Sequence, residues 1–75
     1  MRVSPSEAYG TAHSLLQSKM KNVDQYKQVF ILSKPDSRSK NIVYAYGLND
    51  KADNEIATVI INATTGKVVA SRVNE

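Results

Sequence analysis

The stretch from Glu55 to Val73, Glu-Ile-Ala-Thr-Val-Ile-Ile-Asn-Ala-Thr-Thr-Gly-Lys-Val-Val-Ala-Ser-Arg-Val, constrains the fold of this chain more than any other. Val59, Ile60, Ile61, Val68 and Val69 are β-branched, and such side chains pack well on a pleated surface. Between them, Ala63-Thr64-Thr65-Gly66 offers a three- or four-residue hairpin loop. Gly66 supplies the positive φ that such a loop needs near its end. Two strands folded back on each other are expected here, and the other segments read as elements that pack on this hairpin or pair with it.

The 75 residues make one small domain, residues 1–75. A domain of this size buries roughly 60% of the surface its unfolded chain exposes. Its stability margin is thin, on the order of a few kcal/mol. No cysteine is present, so no disulfide or thiolate site adds to it. Such a chain suits the cytosol and equally an extracytoplasmic setting in which it folds without bridges. Met1 to Pro5 contains no apolar run and does not read as a secretory signal. Nothing approaches the ~18 consecutive apolar residues of a membrane span. Ten Lys and Arg stand against seven Asp and Glu, a formal charge of +3. That is mildly basic, and short of the dense basic stripe of a nucleic-acid binder.

Ser4-Pro5-Ser6-Glu7 is a helix start. Ser4 is placed as N-cap, Pro5 suits the first helical position, and Glu7 three residues on completes a capping box. Ala8, Ala12, Leu15, Leu16, Met20 and Val23 then recur at helical spacing and form one apolar stripe. The helix is expected to run to about Lys21, with Asn22 closing it in the left-handed conformation. Gly10 weakens it and reads as an exposed, indifferent site. Tyr26 to Leu32 is the first strand. Ser33 to Lys40 is a polar loop with Pro35-Asp36 as turn chemistry. Asn41 to Leu48 is the second strand, with Ile42, Tyr44, Tyr46 and Leu48 on one face and Val43, Ala45 and Gly47 on the other. Asn49 to Asn54 is a second polar loop.

The order α-β-β-β-β with short connections favours antiparallel neighbours. An α+β fold follows, with one N-terminal helix across a four-stranded antiparallel sheet. A single helix covers one face of such a sheet, yet both faces here are substantially apolar. Ile56 and Ile60 oppose Ala57, Val59 and Ile61. The uncovered face is therefore expected either to carry an apolar or aromatic patch of the kind that marks protein contacts, or to be shielded by long side chains and made acceptable to water by tyrosine hydroxyls. Tyr44 and Tyr46 are the candidates for that face, with Lys34, Arg38 and Lys40 in the first long loop as its rim. The partner is then another protein, or a second copy of the chain through the apolar face.

Chemistry is hard to assemble from these residues. His13 is the only histidine, and neither cysteine nor a second histidine accompanies it. Glu7 and Asp24 lie too far along a helix to share its turn, so His13 reads as a helix-surface residue. Asn49, Asp50, Asp53, Asn54 and Glu55 lack the glycine and the spacing of a calcium loop and read as a solvated turn. Asn62-Ala63-Thr64 matches a glycosylation acceptor formally but sits at a tight hairpin. No catalytic set, metal site or cofactor site is expected, and the chain does not read as an enzyme. Lys34, Arg38 and Lys40, taken with Tyr26, Phe30, Tyr44 and Tyr46, sketch a platform for single-stranded nucleic acid. The low net charge argues against it.

The closing hairpin, Thr58-Val-Ile-Ile-Asn-Ala-Thr-Thr-Gly-Lys-Val-Val69, resembles the end of a PepSY-type domain. Thr65, Gly66, Lys67 and Val68 match its turn, and Ser4 to Leu16 matches its helix loosely. That resemblance implies a bacterial, non-enzymatic module of the cell envelope or exterior that binds or restrains a protein, often a peptidase. The reading is a protein-binding or inhibitory module that works through contacts. A phage or host-defence protein that blocks a larger enzyme is an alternative of the same shape. A nucleic-acid-binding module is a second.

Overall fold

Ser4 starts the helix as its side chain dictates. Its Oγ accepts the backbone N–H of Glu7 at 3.2 Å, and Pro5 occupies the first helical turn, where a missing donor has no consequence. The computed structural model describes residues 3–33 and 42–74. Helix α1 spans Pro5–Lys19, and a 3-10 turn follows at Val23–Gln25. The strands are β1 (Lys27–Ser33), β2 (Val43–Asn49), β3 (Glu55–Asn62) and β4 (Val68–Val73). They form one sheet in the order β1-β2-β3-β4, and each neighbouring pair is antiparallel. This is the expected α+β architecture, one helix on a four-stranded antiparallel sheet.

The helix stops earlier than the sequence implied. Met20 turns to extended backbone, and its N–H still donates to the Leu16 carbonyl. Asn22 takes the left-handed conformation expected of it (φ 59°), but it opens the 3-10 turn and does not close the helix. Ending the helix here lets both Met20 and Val23 enter the core. Gly10 is exposed, and a Cβ built on it meets nothing within 4 Å. Gly10→Ala is therefore expected to raise stability by about 0.8–1 kcal/mol, read as a higher thermal midpoint.

The hairpin turn forms at the predicted residues. Gly66 has φ 78°, and its N–H donates to the Asn62 carbonyl at 2.8 Å. The Asn62 side-chain oxygen accepts the N–H groups of Thr64 and Thr65 at 2.8 and 3.1 Å, as an asparagine does at a turn. Just before β2 and after β3, Ala63 donates to the Ile42 carbonyl, and Val3 donates to that of Ala63. Val3 is thereby tied to the turn.

The core lies between α1 and one face of the sheet. Ala8, Ala12 and Leu16 meet Tyr44, Tyr46, Leu48, Ala57, Val59 and Ile61. Two alanines on the helix leave a deep space above β2, and the rings of β2 fill it. Tyr46 is fully buried, with its ring edge-on to Tyr9 at 5.2 Å between centroids. Among the described residues, no helix is long and apolar enough to cross a membrane.

Candidate functional site

Residues alternate faces along each strand, and the antiparallel register carries the alternation across the sheet. The face turned away from α1 bears Val29 and Ile31 from β1, Ala45 and Gly47 from β2, Thr58 and Ile60 from β3, and Ala70 and Arg72 from β4. Ile31 pairs with Ala45, Ala45 with Ile60, and Ile60 with Ala70. These four make an uninterrupted apolar row across the whole sheet. The next row, Val29, Gly47, Thr58 and Arg72, is apolar at the β1 side and polar at the β4 side. Val29 and Ile31 are 40% and 52% exposed, large values for such side chains in a folded sheet.

The face has relief as well as polarity. Ala45 and Gly47 are small, so β2 forms the floor of a shallow trough walled by Val29 and Ile31 on one side and Thr58 on the other. A second depression lies over β4, lined by Thr58, Ile60, Ala70 and Arg72. Charges edge one end. Lys27 Nζ lies 3.1 Å from Asp53, and Arg72 lies 2.6 Å from Glu55, whose carboxylate also accepts the Thr58 hydroxyl. An apolar centre with a polar margin is the layout of a protein contact surface.

This placement corrects one expectation. Tyr44 and Tyr46 do not line the uncovered face; they are 4% and 0% exposed and lie under the helix. Ring volume decides it, since α1 approaches with alanines and large side chains are needed beneath it. Phe30 stacks on Tyr44 at 5.3 Å, and Tyr26 also packs on the core. Of the four rings of the nucleic-acid reading, Tyr44 and Tyr46 are buried, while Tyr26 and Phe30 are partly buried against the core. Lys34, Arg38 and Lys40 lie outside the described residues. The signal for which face is left uncovered was present in β2 itself, where Ala45 and Gly47 are small and Tyr44, Tyr46 and Leu48 are large; Val43, on the same side as Ala45, is buried.

The polar residues weighed for chemistry are occupied structurally. The 3-10 turn brings Asp24 back beside the helix, and its Oδ1 lies 3.3 Å from His13 Nε2. A partner for His13 thus comes from outside its own helix, which spacing along the helix did not anticipate. His13 also stacks on Tyr9 at 5.6 Å. In the second loop the Asp50 carboxylate accepts the N–H of Asn54, its side-chain amide and the N–H of Ala52. The bond from the Asn54 N–H is the main reason its pKa falls below the ordinary value.

The two buried tyrosines differ in one atom's surroundings. Tyr44 donates its hydroxyl to the Val3 carbonyl at 2.7 Å. The Tyr46 hydroxyl is buried and makes no well-formed hydrogen bond among the described residues; the Tyr9 hydroxyl beside it donates to Gln28 instead. Burial pushes the Tyr46 pKa well above the ordinary tyrosine range. Tyr44→Phe should therefore cost about 1 kcal/mol, while Tyr46→Phe should raise stability by about as much, since an unmade buried hydrogen bond is removed. The pH dependence follows the same atom. Below about pH 10 the phenol is neutral in folded and unfolded chains alike. Above it only the unfolded chain ionises, so stability falls as pH rises. Tyr46→Phe is expected to move the alkaline unfolding midpoint upward, and circular dichroism from pH 8 to 12 reads it.

Comparison of the chain with protein-family models, with curated proteins and with solved structures found no match.

Proposed function

We propose that this protein is a non-enzymatic binding module that grips another protein with the sheet face opposite its helix. The row Ile31–Ala45–Ile60–Ala70 carries the reading. It spans all four strands, is apolar throughout, and has no element of the described chain upon it. The partner is a protein whose apolar side chains fill the troughs over β2 and β4 and whose polar groups meet the margin at Lys27, Asp53, Glu55 and Arg72. Restraint of a larger enzyme, a peptidase among them, is one use of such a grip. The PepSY-like closing hairpin favours it.

The test uses tagged wild-type protein and its Ile60→Lys variant as baits in one lysate, with mass-spectrometric identification. A partner retained by the wild type, kept by Tyr46→Phe and lost by Ile60→Lys supports the proposal. Capture that is indifferent to Ile60 and Ala45 substitutions, or retention of oligonucleotides that is lost with added salt, contradicts it.

A further inference from the structure

The two edges of the sheet are unlike each other. β4 is guarded by the shift of its register with β3 between Ile60 and Ile61 and by Arg72 in an ion pair, although Val68 and Val69 beside the shift are exposed. Bulges and charges of this kind keep an edge from pairing. β1 has no such shift, and its one charged residue, Lys27, stands at the strand's first position in an ion pair with Asp53. The seven residues of the strand, Lys27–Ser33, run in unbroken register with β2. Val29-Phe30-Ile31-Leu32 forms a continuous uncharged stretch without proline. Val29 and Ile31 are exposed on the open face, and Leu32, on the helix side of the same strand, is 48% exposed. The outer side of β1 pairs with nothing among the described residues.

We propose that β1 pairs with β1 of a second copy, antiparallel about a two-fold axis at Phe30. The occupant follows from the residues. In this register Val29 stands opposite Ile31 on the open face, and Phe30 opposite Phe30 on the helix side. Lys27 falls opposite Ser33, so no cation faces its own image, an arrangement that would oppose pairing. Such an isologous contact closes on itself, and the guarded β4 edges prevent further growth into a filament. The product is an eight-stranded sheet whose open faces join into one. A single face measures roughly 14 by 20 Å from strand spacing and rise. Joining two doubles the surface that can meet a partner, though the edge contact itself does not require the binding reading above.

Sedimentation equilibrium and backbone amide exchange between about 10 µM and 1 mM test the pairing. An edge contact falls in the small-interface class, below about 1,200 Å², so a dimer is expected only toward the upper concentrations. Amide exchange should slow with concentration in β1 and not in β4. The double variant V29K/I31K sets lysine opposite lysine across the axis and is expected to stay monomeric. Ile60→Lys, on the face and away from the edge, is expected to dimerise as the wild type does. A monomer at all concentrations, slowing in β4 instead of β1, or a dimer abolished by Ile60→Lys would overturn the proposal. The wild-type exchange pattern decides the matter even if the double variant fails to fold.

Discussion

Ile60→Lys is expected to weaken binding of the captured partner by roughly a hundredfold while the protein stays folded, as loss of a central hot-spot residue does. Ile60 sits in the middle of the apolar row, between Ala45 and Ala70. A lysine there places a charge where a partner's apolar side chains would have to desolvate it. In the free protein the cost is small. Ile60 is only partly buried, and a lysine stem can lie along the sheet with its ammonium in water. A loss of about 1 kcal/mol or less is expected, a shift of about 4–8 °C at most for a domain of this size. Isothermal titration together with a thermal melt separates the two effects. Lost binding with an intact melt assigns the face to recognition.

Tyr46→Ala is expected to do the reverse and destroy the fold. The ring is fully buried, packed edge-on against Tyr9 and near Phe30 and His13. Removing a buried aromatic side chain costs about 3–5 kcal/mol. A domain this small holds a margin of only a few kcal/mol. The variant should lose its helical circular dichroism at 25 °C, and Tyr44→Ala combined with it more completely. A folded Tyr46→Ala with weakened binding would instead mean that the tyrosines belong to the contact surface.

These two variants mark where the sequence was legible and where it was not. The helix start, the four strands and the Gly66 turn were readable because each rests on local chemistry. Ser4 caps, Pro5 begins, β-branched residues extend, and glycine turns. Which side of the sheet the helix would cover was a tertiary question. Both faces of β2 and β3 are apolar, so alternation alone gave two answers. The deciding quantity was volume: Ala8 and Ala12 on the helix demand Tyr44 and Tyr46 below it, and leave Ala45 and Gly47 outside. A preference for aromatic residues at contact surfaces pointed the other way. The Asp24–His13 contact was hidden for a related reason, since it depends on the chain doubling back through Asn22.

A partner can be gripped as proposed only if the face of the sheet opposite α1 is the open one. Methyl resonances read this directly when a soluble paramagnetic agent is added to the protein. The methyls of Val29, Ile31 and Ile60 should relax strongly, and those of Leu16, Val59 and Ile61 should be protected. Equal protection of both sets, or the opposite pattern, would contradict the account.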